Sequence, residues 1–315
     1  MIVVFGGTGR VGRQIVERLR QEGRTVRVVT RDPASADAVQ GVEVVGGDLH
    51  DRRTLVRAVS GAEVIVCTVQ GGDGRGNNGP KGIEGVGIPS LIGVARDTAV
   101  ENFVYVSSAS ARADSPVEFF RLKFEVERVL RTSGLPYSIL RPTHLMDTWV
   151  EMLAESIVKK GKATVFGSGA NPVSWVAGED VARVAAALAT RPGEDWSADL
   201  GGPEALPLTK VNELVAASLG VQITGRNTMP VGMLRVMSPL TRPFNEVLAR
   251  RMRMGALLDT QPQIVDSSVV WARFGEPLSL SAWLETNRPG DRRRSTERGV
   301  HLPPANGRRP ADGGH

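Results

Sequence analysis

Three glycines near the start of the chain have the spacing of a phosphate-binding turn. Gly6, Gly9 and Gly12 follow the apolar run I-V-V-F, and an amphipathic stretch begins at Arg10. This order predicts a buried strand, a tight turn and a helix whose first N–H groups can bind an anion. Gly6 permits the turn, Gly9 lets a pyrophosphate approach, and Gly12 lets the helix pack on the strand. The segment therefore predicts a dinucleotide site formed by Gly6, Gly7, Thr8, Gly9, Arg10, Val11 and Gly12.

Basic side chains mark the corner where the adenosine ribose would lie. The second predicted strand ends at Arg31, and Arg10 lies in the glycine turn close by. Guanidinium groups bind a 2′-phosphate through charge-assisted, bidentate contacts, so this corner favours NADP (NADPH) over NAD. Asp32 could instead bind the ribose hydroxyls or pair with Arg31, and both arginines could be ordinary surface charges.

Further cofactor contacts are expected where the third and fourth strands end. Asp48 can accept a hydrogen bond from the adenine amine while Leu49 covers the ring face, although Asp48 could equally cap the next helix. Thr68, Val69 and Gln70 follow the fourth strand, on the side of the adenosine and the phosphates. We therefore expect these five residues on one rim of the sheet.

Strand-like and helical runs that position these residues alternate through the first half of the chain. Strands are predicted at residues 2–5, 25–30, 42–45, 63–69, 102–107 and 137–141. Helices are predicted at residues 10–22, 52–59, 83–98 and 117–133. This alternation gives an α/β fold, a Rossmann-like doubly wound parallel sheet that binds ligands beyond the carboxyl ends of its strands. The glycine-rich stretch 71–82 is predicted to be a flexible loop at that rim, ordered by binding.

After Pro142 the pattern is less regular and predicts a smaller C-terminal α+β lobe. Helices are predicted at 148–160, 179–190, 209–219, 231–254 and 280–284, and short strands at 163–166, 197–200 and 221–224. We divide the chain into an NAD(P)-binding core, a substrate lobe that adds to the sheet, and a basic tail, at residues 1–142, 143–287 and 288–315. The tail is predicted to be disordered because it is rich in arginine and has almost no apolar anchor.

Composition narrows the classes of function. No apolar run is long enough to span a bilayer and the glycine turn begins too early for a signal peptide, so a cytoplasmic protein is expected. Cys67 is the one cysteine and lies in an apolar strand, and no cluster has metal-ligand spacing, so no metal site is predicted. The net charge is +5, and the tail carries most of it with seven arginines against three acidic residues. Nucleic acid is therefore a disfavoured partner, and we expect a monomer or homodimer that binds a small hydrophobic substrate.

Several segments together carry a family resemblance. They are G-G-T-G-R-V-G at 6–12, T-R-D-P at 30–33, G-D-L-H-D at 47–51, F-V-Y-V-S-S at 103–108, F-F-R-L-K-F-E-V-E at 119–127, S-G-L-P-Y-S-I-L-R-P at 133–142, G-E-D-V-A at 178–182 and G-G-P-E-A-L at 201–206. With these motifs the chain resembles the atypical short-chain dehydrogenase/reductases, specifically the NmrA-like NAD(P)-binding family, up to roughly residue 287. The resemblance implies hydride transfer from a nicotinamide coenzyme, and quinone and flavin reductases occur in this branch.

One position departs from the pattern that this resemblance implies. Catalytic members use Tyr-x-x-x-Lys on the helix after the fifth strand, where the tyrosine moves a proton and the lysine binds the nicotinamide ribose. Here the lysine matches at Lys123, but the tyrosine position holds Phe119. A phenyl ring cannot transfer a proton, so the usual mechanism is excluded for this chain.

Three residues could replace the missing tyrosine. Lys123 could act as the acid/base, as the equivalent lysine does in isoflavone-reductase-like relatives, or it could only hold the ribose. Ser108 could polarise a carbonyl and Ser107, beside it, is predicted to contact the cofactor, or both serines could simply end the strand. His144, expected on the rim, could donate a proton near neutral pH or be a packed loop residue.

An acceptor that is already electrophilic needs no strong acid. Quinones, flavins and azo dyes can take a hydride and collect a proton from water. We therefore predict an NAD(P)H-dependent oxidoreductase that transfers a hydride to a hydrophobic electrophile. The alternative, which Phe119 favours, is a non-catalytic NAD(P)-binding redox sensor or assembly protein, as some NmrA-like proteins are. Nucleic-acid binding through the arginine tail is the weakest hypothesis.

Overall fold

A parallel β-sheet forms the centre of this computed structural model, which describes residues 1–35, 41–98 and 100–287. The predicted tail at 288–315 lies outside the described residues. The strands are β1 (Ile2–Phe5), β2 (Val26–Thr30), β3 (Glu43–Gly46), β4 (Val64–Cys67), β5 (Asn102–Val106), β6 (Tyr137–Pro142), β7 (Lys162–Phe166), β8 (Pro172–Ser174), β9 (Trp196–Leu200), β10 (Ala205–Pro207) and β11 (Gly225–Met229).

Helices cover both faces of the sheet and build the C-terminal lobe. They are α1 (Arg10–Gln21), α2 (Arg52–Ala58), α3 (Pro80–Gly82), α4 (Ile88–Asp97), α5 (Glu118–Arg131), α6 (Met146–Lys160), α7 (Gly178–Ala189), α8 (Leu208–Leu219), α9 (Val231–Thr241), α10 (Glu246–Thr260), α11 (Ser268–Phe274) and α12 (Leu280–Thr286). A π-helical turn, Ile83–Gly87, joins α3 directly to α4.

The central sheet has the order β3-β2-β1-β4-β5-β6-β9 within the described residues, and every pairing in it is parallel. All residues of β1 and β4 are buried, as their β-branched and apolar composition predicts for strands covered on both faces. The strand order reverses on either side of β1, which opens a crevice at the carboxyl ends of β1 and β4. The Rossmann-like α/β fold predicted from the sequence is confirmed.

After α6, β7 and β8, which belong to the C-terminal lobe, the chain packs against the central sheet again. Helix α7 packs against α1, and β9 pairs with β6 at the edge of the sheet. The rest of the lobe contains a parallel pair, β7 with β11, and an antiparallel pair, β8 with β10. Its own core is built around Trp175 and Trp283, which are 1% and 3% exposed.

Several element boundaries differ from the predictions. The helix predicted at 231–254 is two helices, α9 and α10, because the chain turns at residues 242–245, where Pro243 supplies no backbone N–H. The strand predicted at 221–224 lies later, at β11, and the helix predicted at 83–98 begins earlier, at Pro80. The sequence analysis missed β8, β10 and α11, which are short. Among the described residues, no helix has the length and apolar character needed to cross a membrane.

Candidate coenzyme and active site

The glycine turn between β1 and α1 has the geometry that the motif predicts. Gly6 has φ +85°, and its carbonyl accepts a hydrogen bond of 2.9 Å from the Gly9 N–H. A Cβ on Gly12 would lie 2.0 Å from the Gly6 carbonyl oxygen, so only glycine allows this contact between helix and turn. Among the described residues no side chain caps α1 at Gly9, and the first turn of α1 contains no acidic residue. This helix end fits a pyrophosphate.

Gly12→Ala is expected to damage both folding and coenzyme binding. The added methyl group would force the backbone of the turn away from α1, which costs about 1–3 kcal/mol of unfolding free energy. Denaturant unfolding and NADPH calorimetry measure the two effects. Gly232→Ala in α9 is the matched control, because its Cβ would meet no atom within 4 Å. An equally small effect of both substitutions would show that the close approach at Gly12 has no role.

The two arginines predicted at the adenosine corner point to different partners. Arg31 donates to the side-chain oxygen of Asn78, in the loop that follows β4. Arg10 instead forms an ion pair of 2.6 Å with Glu151 of α6 and donates to the Asp147 carbonyl at 3.3 Å. Arg31 therefore lies beside the loop after β4, where its contact with a 2′-phosphate stays a prediction, and Arg10 is turned toward the C-terminal lobe.

The third strand is followed by a polar turn rather than by a helix cap at Asp48. The Asp48 carboxylate accepts from the His50 N–H at 2.9 Å, whereas Asp51 caps α2 by accepting from the Arg53 N–H. Leu49 is 7% exposed and packs in the main core. The capping role considered for Asp48 thus belongs to Asp51.

The residues after β4 line the other side of the crevice. The Thr68 hydroxyl donates to the carbonyl oxygens of Phe5 and Gly6 at 3.2 and 3.3 Å, which ties β4 to the glycine turn. Val69 is half-buried against the core, and Gln70 is exposed. Their positions at the end of β4 keep both residues on the predicted rim.

Lys123 lies in a buried polar pocket beneath this rim. Its ammonium group is 3.2 Å from the Val106 carbonyl oxygen and 3.4 Å from the Tyr105 hydroxyl, and the residue is 2% exposed. Burial lowers the pKa of Lys123, and nearby Glu84 partly opposes this shift. The ring of Phe119, at the tyrosine position, has its centroid 5.4 Å from the ammonium nitrogen.

Glu84 is a buried acid that the sequence analysis did not single out. It lies in the π-helical turn, is 1% exposed, and accepts from the Gly71 N–H at 3.0 Å. Burial raises the pKa of Glu84, while Lys123 lowers it. A charged residue within the apolar helical run I-E-G-V-G-I was the available signal. Glu84 thus links the charge of Lys123 to the start of the loop after β4.

The two serines at the end of β5 have different surroundings. The Ser107 hydroxyl donates to buried Glu127 at 2.5 Å, and Glu127 also pairs with Arg131 at 3.0 Å. Ser108 is partly exposed, and its hydroxyl accepts from the Ser110 N–H at 3.2 Å. Ser107 is therefore held in a structural network, whereas Ser108 faces the rim.

His144 lies in an aromatic pocket of the C-terminal lobe. Its ring centroid is 5.5 Å from that of Trp149 and 5.8 Å from that of Trp175. Burial lowers the pKa of His144 to about 4, so the ring is neutral near pH 7. The structure argues against the proton-donor role considered for His144 and favours the packed loop residue.

The loop after β4, residues 71–79, packs over Phe119 and is held by α10. A Cβ on Gly72 would lie 3.3 Å from the Phe119 ring. Arg250 of α10 donates to the carbonyl oxygens of Gly71, Gly72 and Gly74. Arg251 pairs with Asp73 at 3.0 Å. This loop, which we call the β4–α3 loop, has defined contacts, and the loop predicted at 71–82 ends early because α3 begins at Pro80.

Comparison with known proteins places this chain in a family. A profile of the family described as NAD(P)H-binding matches residues 6–192. The chain is 31% identical to an NAD(P)H azoreductase from Xenophilus azovorans, over 70% of this chain and 74% of that protein. It is 24% identical to the photosystem II assembly factor Ycf39 from Synechocystis, over 90% of this chain and 89% of that protein.

A solved structure shares the fold at low sequence identity. The NADPH complex of the quinone oxidoreductase QOR2 from Escherichia coli matches with a TM-score of 0.75 and 20% identity, over 91% of this chain and 99% of that chain. Fold, glycine turn and family profile agree with the resemblance drawn from the sequence motifs. The chain belongs to the NAD(P)H-binding, NmrA-like family of atypical short-chain dehydrogenase/reductases.

Proposed function

We propose that this protein is an NADPH-dependent reductase that transfers a hydride to a hydrophobic electrophile such as a quinone, a flavin or an azo compound. The observation that carries the proposal is the buried Lys123 beside Phe119. The pair keeps the cation that would hold the nicotinamide ribose and lacks the hydroxyl that would protonate a carbonyl product. The azoreductase relative supports an acceptor of this kind.

The residues of the chain divide the work of binding and catalysis. Gly6, Gly9 and the first N–H groups of α1 would hold the pyrophosphate, and Thr68 keeps the glycine turn against β4. When bound, the nicotinamide would supply a hydride, and one proton from water would complete the conversion of a quinone to a hydroquinone. Lys123 would hold the ribose, and Ser108 would donate a hydrogen bond at the rim.

A turnover assay tests the proposal directly. Loss of NADPH absorbance in the presence of quinones, flavins or azo compounds is expected, with little or no reaction of simple aldehydes. Tight NADPH binding without turnover of any acceptor would contradict the reductase proposal.

Tight NADPH binding without turnover would favour a non-catalytic protein that binds NAD(P)H and regulates or assembles other proteins. Two observations favour this candidate. Phe119 is 5% exposed and lies under the β4–α3 loop, and the relative Ycf39 is an assembly factor. In that case ligand binding would alter the contacts of the loop without any change in the coenzyme.

Arg31→Ala tests the preference for NADPH. We expect it to weaken NADPH binding by about tenfold or more and to change NADH binding little, because a guanidinium–phosphate contact contributes about 1.5–3 kcal/mol. Calorimetry with both coenzymes measures the difference. Arg24→Ala, a basic residue at the opposite end of β2, is the control. Equal losses for NADPH and NADH would overturn the assignment of Arg31 to the 2′-phosphate.

A further inference from the structure

Two cavities beside the candidate active site share one wall. The first is a polar cleft of about 280 Å³ beyond the carboxyl ends of β5, β6 and β9. The second is an apolar groove of about 280 Å³ between α9 and α10. Pro116 and Leu257 line both cavities, so these two side chains separate the cleft from the groove.

The polar cleft adjoins the predicted catalytic rim. The chain from Ala109 to Pro116, which follows Ser108, forms one side of it. Its floor is rigid, because Arg141 donates to the Ala111 carbonyl at 2.8 Å and is 3.4 Å from carboxylate oxygens of both Glu127 and Asp199. Hydrogen-bonding groups held in this way can orient a polar head group.

The apolar groove continues away from the rim along the α9–α10 hairpin. It is lined by Leu234, Pro239 and Ala256, with Arg235 and Arg253 beside them. Leu234 and Ala256 are 1% and 7% exposed, so the groove has an apolar floor. Each methylene group buried there would strengthen binding by roughly fourfold.

Leu257 also packs in the same apolar cluster as Phe119, the residue at the position of the missing tyrosine. It belongs to a small apolar cluster, separate from the three larger cores, with Val117, Phe119, Phe120 and Met254. One leucine side chain of α10 therefore meets the polar cleft, the apolar groove and the Phe119 cluster. Leu257 therefore forms part of the wall between the two cavities, next to the Phe119 cluster.

We propose that the acceptor is an amphiphile, with a planar polar head in the cleft and an alkyl or prenyl tail in the groove, and that Leu257 determines access between them. Each cavity alone is at the lower limit of ligand pockets, about 300–1,000 Å³, and the joined space lies within that range. This inference rests on the proposed reductase function, which it deepens by naming the form of the acceptor.

Binding of redox-inert analogues tests the inference without turnover. Hydroquinone dimethyl ethers that carry a methyl or a decyl chain are titrated into the protein by calorimetry. We expect the decyl compound to bind on the order of 100-fold more tightly, because only part of its chain is buried in the groove. Leu257→Trp should remove most of that advantage. Leu248→Trp, on an exposed position of the same helix, should change neither affinity.

A second variant keeps the inference testable if Leu257→Trp does not fold. Ala256→Leu narrows the groove alone, and it too should selectively weaken the decyl compound. Equal affinities of the natural protein for the two compounds would overturn the inference. So would a loss of decyl-compound affinity in Leu248→Trp as large as that in Leu257→Trp. Failure of the proposed function is separate: it would appear as tail-dependent binding with no oxidation of NADPH by any quinone.

Discussion

Lys123→Met is expected to lower the rate of NADPH oxidation by about 100-fold or more, through loss of turnover, of coenzyme affinity or of both. Methionine has a similar length but carries no charge and no N–H donor. The substitution would remove the cation in contact with Tyr105 and Val106, which is also one of the charges that lower the pKa of Glu84. Steady-state kinetics with a quinone and calorimetry with NADPH separate the two contributions.

Two controls distinguish this effect from general damage. Lys159→Met removes an exposed lysine of α6 and should change neither turnover nor affinity. The double variant Lys123→Met/Glu84→Gln removes both buried charges, so it should unfold no more easily than Lys123→Met alone. It should still fail to turn over NADPH. Normal turnover and normal affinity in Lys123→Met would exclude this lysine from the site.

The pH dependence provides a further measurement of the same residue. Because burial lowers the pKa of Lys123, the ammonium form is lost at a lower pH than for an exposed lysine. If the charge on Lys123 holds the coenzyme, NADPH affinity should fall as the pH rises through that lowered pKa. Lys123→Met should show no such fall, since the titrating group is absent.

The parallel core was predictable because its signals are local. The run I-V-V-F, the three glycines and the amphipathic stretch after them occur in direct succession, and each constrains the backbone within a few residues. Strands β1, β2, β3 and β5 therefore lie within two residues of the predicted bounds. Crossover handedness and the switch point next to β1 then follow from general rules of parallel sheets.

The polar environment of the site was not predictable in the same way, because it depends on contacts between distant residues. Glu84 contacts Gly71 from within a π-helical turn, and no local pattern predicts that turn. Arg10, in the glycine turn, could pair either with a phosphate of the coenzyme or with an acidic side chain of the protein. Its pairing with Glu151 depends on how α6 packs, 141 residues away. The same reason explains why His144, a residue with suitable chemistry just past β6, has its ring in an aromatic pocket of the C-terminal lobe.

The position of α10 connects the two candidate functions. Arg250 binds three carbonyl groups of the β4–α3 loop, and Leu257, two turns further along the helix, lines the polar cleft and the apolar groove. A ligand that displaced Leu257 would therefore act on the helix that holds the loop over Phe119. A reductase would use this coupling to admit its acceptor, and a sensor would use it to report coenzyme binding.

Phe119→Tyr is expected to create carbonyl reduction that the natural protein lacks, with aldehyde turnover rising at least about 100-fold above background. The new hydroxyl would restore a proton donor on the ring that lies 5.4 Å from the Lys123 ammonium nitrogen. The positive charge of Lys123 would favour the tyrosinate and so lower the pKa of the new hydroxyl. NADPH oxidation with aldehydes, followed as a function of pH, measures both effects.

Phe120→Tyr is the matched control for this substitution. The two rings are neighbours, with centroids 5.3 Å apart, and are similarly buried at 5% and 6%. Of these two rings, Phe119 is the one with the Lys123 ammonium over it, so Phe120→Tyr should reduce no aldehyde. Because even a Cβ on Gly72 would lie 3.3 Å from the Phe119 ring, the new hydroxyl is expected to shift the β4–α3 loop slightly, which a crystal structure of the variant would reveal. If Phe119→Tyr binds NADPH normally, shows this shift and still reduces no aldehyde, then the site lacks more than the proton donor, and the non-catalytic function becomes the better explanation of Phe119.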